Sequence, residues 1–197
     1  MCPRVTDQYK TEVKEKIVQA AITTFSKYGY DKTRMDDIAK SAKLGKGTLY
    51  LYFKSKEELF YDISENSIKE LKEQLSKLFS KKEDLVHDAE KFYDQYRNLI
   101  HDSEKVSFEI IAESSRNPKL RKALYEQRMK VYDIVIDYLR RQIEKGFFRK
   151  DMDVNAIASG LVALYDGLTI SKLLGISEDY NKKTWAQTIR AIFTGIS

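Results

Sequence analysis

Apolar residues recur at spacings of three and four in the first part of the chain. Val13, Ile17, Ala21 and Phe25 would share one face of a helix, because an α-helix repeats about every 3.6 residues. Gly29 follows this run, and glycine adopts the positive φ angles at which helices commonly stop. The pattern therefore predicts a first amphipathic helix that ends near residue 29.

Two shorter helices are predicted next, joined by a tight turn. We expect Thr33 to cap the first, with Asp36 in the third position of a capping box. This helix ends at Leu44-Gly45, and a second short segment runs from Lys46 to Phe53. Two short helices joined by a glycine-containing turn are typical of a helix-turn-helix.

The rest of the chain is also predicted to be helical. Ser55 and Ser80 each open a capping box, Asn117 precedes a proline at a first helical position, and Asp153 is placed to cap another helix. A long helix is expected to close at Gly146. We find no strand pattern, so the prediction is an all-α fold of about nine helices.

Composition agrees with this prediction and limits the function. The chain has only 8 glycines and 2 prolines among 197 residues, and its 42% hydrophobic content is enough for a core. The start lacks the apolar stretch of a signal peptide, and the most hydrophobic run, 156–165, is too short to span a bilayer. We therefore expect a soluble, cytoplasmic protein without a membrane partner.

The positive charge is concentrated at the N-terminus. Residues 1–56 hold 12 Lys and Arg against 6 Asp and Glu, whereas residues 57–197 hold 23 against 24. The net charge of +5 therefore arises entirely from the first segment. A basic module beside a nearly neutral one is typical of a phosphate-binding domain, although a solvated basic surface would look similar.

No catalytic or metal-binding pattern is apparent. Cys2 is the single cysteine, and the two histidines, His87 and His101, lack the spacing of metal ligands. The chain contains no glycine-rich phosphate loop and no nucleophile elbow. We expect no enzymatic activity, no catalytic residue, no metal and no cofactor.

Residues 33–59 read TRMDDIAKSAKLGKGTLYLYFKSKEEL. This segment resembles the DNA-binding signature of TetR-family regulators, from the threonine that opens the first helix to the Tyr-Phe-Lys-Ser-Lys-Glu-Glu-Leu at the end. The resemblance implies a three-helix DNA-binding domain over residues 1–55. It also implies a helical effector-binding and dimerisation domain over residues 56–197.

The second short helix would then be the recognition helix. Such a helix lies in the major groove of double-stranded DNA and contacts bases and phosphates through its N-terminal residues. Helix N-termini and nearby lysines would hold the phosphate backbone. The predicted DNA-binding residues are Thr33, Arg34, Lys46, Gly47, Thr48, Tyr50, Tyr52, Lys54 and Lys56.

The resemblance also implies that the last two helices pair with those of a second copy in a homodimer on a palindromic operator. The alternative is that these residues pack within one subunit. The first helix offers small residues for close approach, and the second offers large apolar anchors. The predicted interface residues are Ala156, Gly160, Ala163, Gly167, Trp185, Ile189 and Phe193.

An effector pocket in the second domain is the last feature implied. Aromatic side chains with methionine form an adaptable apolar wall, so a lipophilic effector is expected, with a fatty acid or fatty acyl-CoA as the main hypothesis and a drug-like or aromatic compound as the alternative. The basic side chains that would neutralise an acidic head group are Arg97, Arg128 and Lys130. The candidate lining residues are Phe92, Tyr93, Tyr96, Phe108, Ile111, Tyr125, Met129, Tyr132, Tyr165 and Leu168.

The expected function is that of a ligand-responsive transcriptional regulator. Repression is the commoner behaviour of the family, and activation stays open. The rival interpretation is a helical ligand-binding or protein-interaction module that does not bind an operator.

Overall fold

A computed structural model describes residues 6–77, 85–100 and 104–196. Cys2, His101 and the capping box predicted at Ser80 lie outside these residues. The described chain forms nine helices and no strands, which confirms the all-α prediction. The helices are α1 (Asp7–Tyr28), α2 (Met35–Ser41), α3 (Lys46–Tyr52), α4 (Lys56–Lys77), α5 (Leu85–Ile100), α6 (Glu104–Ser114), α7 (Pro118–Glu144), α8 (Val154–Leu173) and α9 (Glu178–Ile196).

The chain divides into two compact units. The first comprises the described residues within 1–66 and 102–127, and the second those within 67–101 and 128–197. Helices α4 and α7 each begin in the first unit and continue into the second. The first unit therefore contains α6 in addition to the helices predicted from the DNA-binding signature.

One apolar core holds the first unit together. Ile17, Ile38, Leu49 and Ile110, from α1, α2, α3 and α6 respectively, are each 0% exposed in this core. Burial of such side chains is the main favourable contribution to folding. The core thereby fixes the position of the short helix α3.

Side-chain caps mark several helix ends. Gly29 closes α1 at φ 86 and ψ 153, and its N–H donates to the Phe25 carbonyl. Asn117 accepts from two amides of α7, Asp153 does the same for α8, and the hydroxyl of Ser55 accepts from the Glu58 amide. These caps confirm the predicted boundaries at residues 29, 55, 117 and 153.

The predicted cap of α2 is wrong by one residue. The helix begins at Met35, Arg34 is the N-cap, and the carboxylate of Asp37 accepts from the Arg34 amide at 3.0 Å. Thr33 is instead 2% exposed, and its hydroxyl donates to the Gly29 carbonyl at 2.7 Å. Because this hydroxyl is used inside the turn, Thr33 does not cap the helix.

The second unit has its own core, built mainly from α5, α8 and α9. Tyr93, Leu139 and Ile189 are at most 1% exposed in it. Asn181 is 0% exposed on α9, and its side-chain amide donates to the Leu168 carbonyl of α8 at 3.3 Å. Polar and apolar contacts together thus hold α8 against α9.

Helix α8 is apolar but largely open on one side. It has 20 residues, and a stretch of 18 of them has a mean hydropathy of 1.3, so it is long and apolar enough to cross a membrane by length and composition alone. Only 22% of that stretch is buried inside the protein. The core helix of a soluble protein meets the same criterion, but such a helix is mostly buried, whereas α8 is not.

Gly29 provides a test of the turn after α1. Its φ and ψ lie in a region that is essentially restricted to glycine, and an added Cβ would lie 2.8 Å from Glu109 Oε2. We expect Gly29→Ala to lower the free energy of unfolding by about 1–3 kcal/mol in urea titrations followed by circular dichroism. Gly146→Ala is the control, because Gly146 also has positive φ, at 75°, but a Cβ there meets nothing within 4 Å. Equal losses in the two variants would contradict a role for the Glu109 contact.

Candidate DNA-binding helix and effector-side cluster

Helix α3, the predicted recognition helix, has one buried and one open side. Leu49 is 0% exposed and Phe53, which follows the helix, is 4% exposed, and both belong to the core of the first unit. Lys46 and Gly47 are exposed, whereas Thr48, Tyr50 and Tyr52 are half-buried. The N-terminal part of α3 therefore presents polar groups to the surface, which is the arrangement a major-groove helix requires.

Lys46 is on the surface and already has an anionic neighbour. Its Nζ lies 2.9 Å from Asp36 Oδ2, and its side chain is 64% exposed. The hydrogen bond and the charge of Asp36 raise the pKa of Lys46, so it stays protonated. Because an exposed ion pair contributes little, a phosphate can replace the Asp36 carboxylate at small cost.

Two lysines predicted to bind phosphate donate to backbone carbonyls of the first unit. Lys56 Nζ donates to the carbonyls of Tyr30 and Asp31 at 2.7 and 3.1 Å, and it lies 4.6 Å from the centre of the Tyr30 ring. Lys54 Nζ donates to the Tyr50 carbonyl at 2.5 Å. These contacts give both lysines a structural role that the sequence did not indicate.

The turn that Lys56 supports is also held from α6. Glu109 accepts a hydrogen bond from the Tyr30 amide at 2.5 Å. The Tyr30 ring is 2% exposed, and burial raises the pKa of its hydroxyl. Residues 29–33 are therefore tied to α4 and α6, and α2 starts from a fixed point.

Other basic groups lie near the start and along the side of α2. Arg34 is exposed beside the first turn of α2. Lys27, Lys32 and Lys40 line an open cleft beside α1 and α2, together with a single carboxylate, Asp37. The sequence analysis did not select these three lysines, although they contribute to its N-terminal charge excess.

An aromatic cluster occupies the second unit. The Trp185 ring lies 6.2 Å from Phe92, 5.7 Å from Tyr93 and 6.2 Å from Tyr165, centre to centre. Leu168 is buried in the same core. Four of the ten predicted effector residues are thus brought together, and Trp185, which we predicted as an interface residue, is at their centre.

Arg97 is buried at this cluster. It is 4% exposed, and its guanidinium lies 5.7 Å from the Tyr93 ring centre and 5.8 Å from that of Tyr165. Its Nε lies 3.2 Å from Glu178 Oε1, and its Nη1 donates to the Thr169 hydroxyl at 2.9 Å. Two aromatic faces, a hydroxyl and a carboxylate thus surround one buried cation.

The carboxylate of Glu178 responds to this environment. Partial burial acts to raise the pKa of Glu178, but the positive charges of Arg97 and Lys172 and the hydrogen bonds from Arg97 and Tyr93 outweigh it, so the pKa is lowered. Lys172 Nζ lies 3.6 Å from Glu178 Oε2. Glu178 is therefore ionised at neutral pH and is the counter-ion of Arg97.

The remaining effector candidates are dispersed. Phe108, Ile111 and Tyr125 belong to the first unit, and Ile111 and Tyr125 are 44% and 64% exposed. Met129 and Tyr132 are in the second unit, where Met129 is 38% exposed. The side chain of Tyr96 lies outside the described residues.

The predicted interface residues fall into two groups. Ala156, Gly160, Ala163 and Gly167 are all exposed on α8, and a Cβ added at either glycine meets nothing within 4 Å. The three on α9 are buried in the core of their own subunit: Trp185, Ile189 and Phe193 are 5%, 1% and 5% exposed. These three side chains are therefore already packed, which matches the alternative interpretation for α9.

Metal binding has no visible basis in the part of the chain that the structure describes. There, no three His, Cys, Asp or Glu side chains come close enough together to hold an ion.

Two family models match the chain. Residues 17–63 match the model described as bacterial regulatory proteins, tetR family. Residues 96–196, half of the chain, match the C-terminal model of BetI-type transcriptional repressors. The chain belongs to the TetR family. This membership confirms the family predicted from residues 33–59, and the family consists of transcriptional regulators.

Curated relatives of this TetR-family chain include regulators from two genera. The chain is 48% identical over 60 residues to YhgD of Bacillus subtilis, a match that spans 31% of that protein. It is 28% identical over 175 residues to YfiR of Bacillus subtilis, which covers 85% of this chain and 83% of YfiR. It is also 46% identical over 54 residues to IcaR of Staphylococcus epidermidis, a negative regulator of the biofilm operon, covering 27% of this chain and 29% of IcaR.

Solved structures share the fold at low identity. A TetR-family regulator from a Rhodococcus species has a TM-score of 0.80 at 18% identity, covering 93% of this chain and 99% of that one. FadR from Bacillus subtilis, solved with stearoyl-CoA, has a TM-score of 0.71 at 21% identity, covering 91% and 96%. A regulator from Saccharomonospora viridis, solved with choline, has a TM-score of 0.71 at 24% identity, covering 91% and 96%.

The internal contacts of Lys56 lead to a stability prediction. We expect Lys56→Met to lower the free energy of unfolding by about 1–2 kcal/mol, because two carbonyls of the turn lose a charged donor. Lys40→Met is the control, since Lys40 is exposed and surface substitutions usually change stability by less than about 0.5 kcal/mol. Urea titration of both variants measures the difference. Unchanged stability of Lys56→Met would mean that Lys56 contributes little to the turn.

Proposed function

We propose that this protein is a dimeric, sequence-specific DNA-binding transcriptional regulator that represses its target promoters. The observation that carries the proposal is helix α3, which is anchored by Leu49 and has an open side within the N-terminal region that carries the positive charge excess. The similarity to IcaR, a negative regulator, supports repression. Such a protein works in the cytoplasm, where its operator DNA is.

We assign DNA binding and effector binding to the two regions predicted from the sequence. Residues 1–55 would bind DNA, and residues 56–197 would bind the effector and the second subunit. Residues 104–127 pack within the first unit, so this part of the second region is in contact with the predicted DNA-binding helices. A conformational change in the second region could therefore reach the predicted DNA-binding residues through these contacts.

The exposed stripe on α8 supports dimerisation. Ala156, Gly160, Ala163 and Gly167 recur every three or four residues, so they share one face along which another helix can approach closely. Exposed apolar helices of this kind are interaction surfaces. On α9, Trp185, Ile189 and Phe193 are buried within the subunit. We therefore assign the contact with a second copy to the exposed small residues Ala191 and Gly195. We assign α8 to this contact and not to a membrane.

The DNA-binding proposal is tested by selecting duplexes from a random pool with the purified protein. We expect an inverted repeat, because a two-fold dimer presents two recognition helices about 34–36 Å apart. Lys46→Ala should weaken binding to all duplexes and reduce the salt dependence by about one ion per subunit. Tyr50→Phe, which removes only a hydroxyl, tests a phosphate or base contact at that position.

Three outcomes distinguish the alternatives. A single half-site without a repeat would argue against the dimer. Salt-sensitive binding without sequence preference would leave only attraction to phosphate. Absence of binding by folded, ligand-free protein would favour a ligand-binding or protein-interaction module.

The aromatic cluster around Arg97 supports a lipophilic effector with an acidic head group. A buried guanidinium requires an anion, and Glu178, which is 44% exposed, supplies it from the edge of the cluster. An effector carboxylate or phosphate would compete with Glu178 for Arg97, while its apolar part packs on Trp185 and its neighbours. FadR, whose structure holds stearoyl-CoA, has a similar fold. A fatty acid or fatty acyl-CoA is therefore our preferred effector class.

A cationic effector fits this cluster less well. Aromatic rings bind quaternary ammonium groups through their faces. Here the faces of Tyr93 and Tyr165 already lie against Arg97, which would repel a second cation. A neutral aromatic compound remains the alternative, because it needs the rings but not the charge.

Release from DNA would follow a shift between two conformations. Helices α4 and α7 run from the first unit into the second, and within the first unit Gln127 Nε2 donates to Glu65 Oε1 at 2.9 Å. A change in the second unit would move both helices and alter the spacing of the recognition helices. An effector shifts this equilibrium only by its difference in affinity for the two states.

Substitutions at Arg97 and Glu178 should have opposite effects on the response. We expect long-chain acyl-CoA to release wild-type protein from the selected operator. Arg97→Met should require at least about tenfold more acyl-CoA, because a charge-assisted hydrogen bond contributes about 1.5–3 kcal/mol. Glu178→Gln should require less, since the competing carboxylate is gone. Fluorescence anisotropy of labelled operator measures all three proteins.

The operator affinity of each protein without effector is measured as the reference for its own release, because both substitutions break the ion pair between Arg97 and Glu178. Unchanged operator affinity of the wild type at saturating acyl-CoA would exclude this effector class. A neutral aromatic compound that releases all three proteins at similar concentrations would favour the alternative effector.

A further inference from the structure

One large apolar side chain on the recognition helix is directed away from the protein. Leu51 is 77% exposed, more than any other large hydrophobic residue of the first unit in the described ranges. The DNA-binding residues predicted from the sequence did not include it. Its neighbours along the chain, Tyr50 and Tyr52, are half-buried, so Leu51 is more exposed than the residues on either side of it.

The geometry of α3 places Leu51 on the side opposite the core. Successive residues of an α-helix are separated by about 100°, so Gly47 and Leu51 each lie about 160° from the fully buried Leu49. Gly47 has no side chain, and a Cβ there would meet nothing within 4 Å. Of these two residues opposite the core, Leu51 is therefore the one with a side chain that projects from the helix.

The surroundings of Leu51 indicate an anionic partner. Lys46 and Lys54 are exposed on the same short segment, which lies in the region that carries the positive charge excess of the chain. Lysine is depleted from protein–protein interfaces, whereas phosphate backbones attract it. An apolar side chain within a basic surface thus fits duplex DNA better than an apolar protein surface.

Leucine can read only one feature of the major groove. It has no hydrogen-bond donor or acceptor, and the 5-methyl group of thymine is the apolar group that base pairs present there. We propose that Leu51 packs against the methyl group of a thymine in each operator half-site and makes operator recognition depend on that methyl group. This inference rests on the proposed function and adds a residue that determines its sequence specificity.

The test removes the methyl group alone. In the selected operator, each thymine is replaced in turn by deoxyuridine, symmetrically in both half-sites, and the dissociation constant is measured. We expect one position to weaken wild-type binding about fourfold per half-site, or about fifteenfold for both, because burial of a methyl-sized group is lost. Replacements at other thymines measure the general effect of deoxyuridine on the duplex.

Leu51→Ala completes a double-mutant cycle. This variant should bind the thymine operator as weakly as the wild type binds the deoxyuridine operator, and deoxyuridine should weaken it by less than about twofold. Gln95→Ala is the control, since Gln95 is an exposed, uncharged residue of α5 in the second unit, and it should behave as wild type. Far-ultraviolet circular dichroism verifies that both variants are folded.

The two proposals fail in different ways. If no duplex is enriched by the wild type, DNA binding fails and the thymine contact fails with it. If an inverted repeat is enriched and Lys46→Ala weakens its binding, DNA binding stands. The thymine contact is then overturned if deoxyuridine has no effect at any position, if it affects Leu51→Ala as strongly as wild type, or if Leu51→Ala binds the operator normally.

Discussion

The burial of Leu49 is the contact on which the exposed surface of helix α3 depends. Helix α3 has 7 residues, and a helix this short is not stable in water by itself. Leu49 and Phe53 attach it to the core that α1, α2 and α6 complete. The same attachment fixes its rotation, so the core decides which side chains face outwards. Leu51 is exposed because Leu49 is buried.

The turn between α1 and α2 is held by side chains of the kinds that also bind phosphate. Its carbonyls at residues 29, 30 and 31 accept from Thr33 and Lys56, and its amide at Tyr30 donates to Glu109. Buried or half-buried backbone groups need such partners, since leaving them unpaired costs about 1–3 kcal/mol each. Thr33 and Lys56 thus have structural roles, and Arg34 and Lys46 stay at the surface.

Much of the fold followed from local sequence patterns. Helical periodicity and caps located α1, α3, α7 and α8, because these signals depend on residues within a few positions of each other. The start of α2 was predicted at the wrong residue, since a threonine before a helix is an equally good cap or turn residue. Its use was decided by the Gly29 carbonyl, which is a neighbour only after the turn has formed.

The candidate sites were less predictable, because they depend on which helices pack together. Four of the predicted effector residues lie in one core. Trp185, which we predicted to contact a partner subunit, packs among them, because the large side chains of α9 face α5. Periodicity identifies the apolar face of a helix and does not identify what covers it. Exposure distinguishes the two cases: the small residues of α8 are open, whereas the large residues of α9 are closed.

Arg97 gives the second unit a chemical selectivity that an apolar core lacks. Its guanidinium cannot lose its charge, so every state of this unit must supply it with an anion or with water. In this structure the anion is the carboxylate of Glu178, a residue in the first turn of α9, the helix that also carries Trp185. Replacement of Glu178 by an effector's acidic group would therefore free the start of α9. An interaction between two side chains is in this way linked to the position of a whole helix.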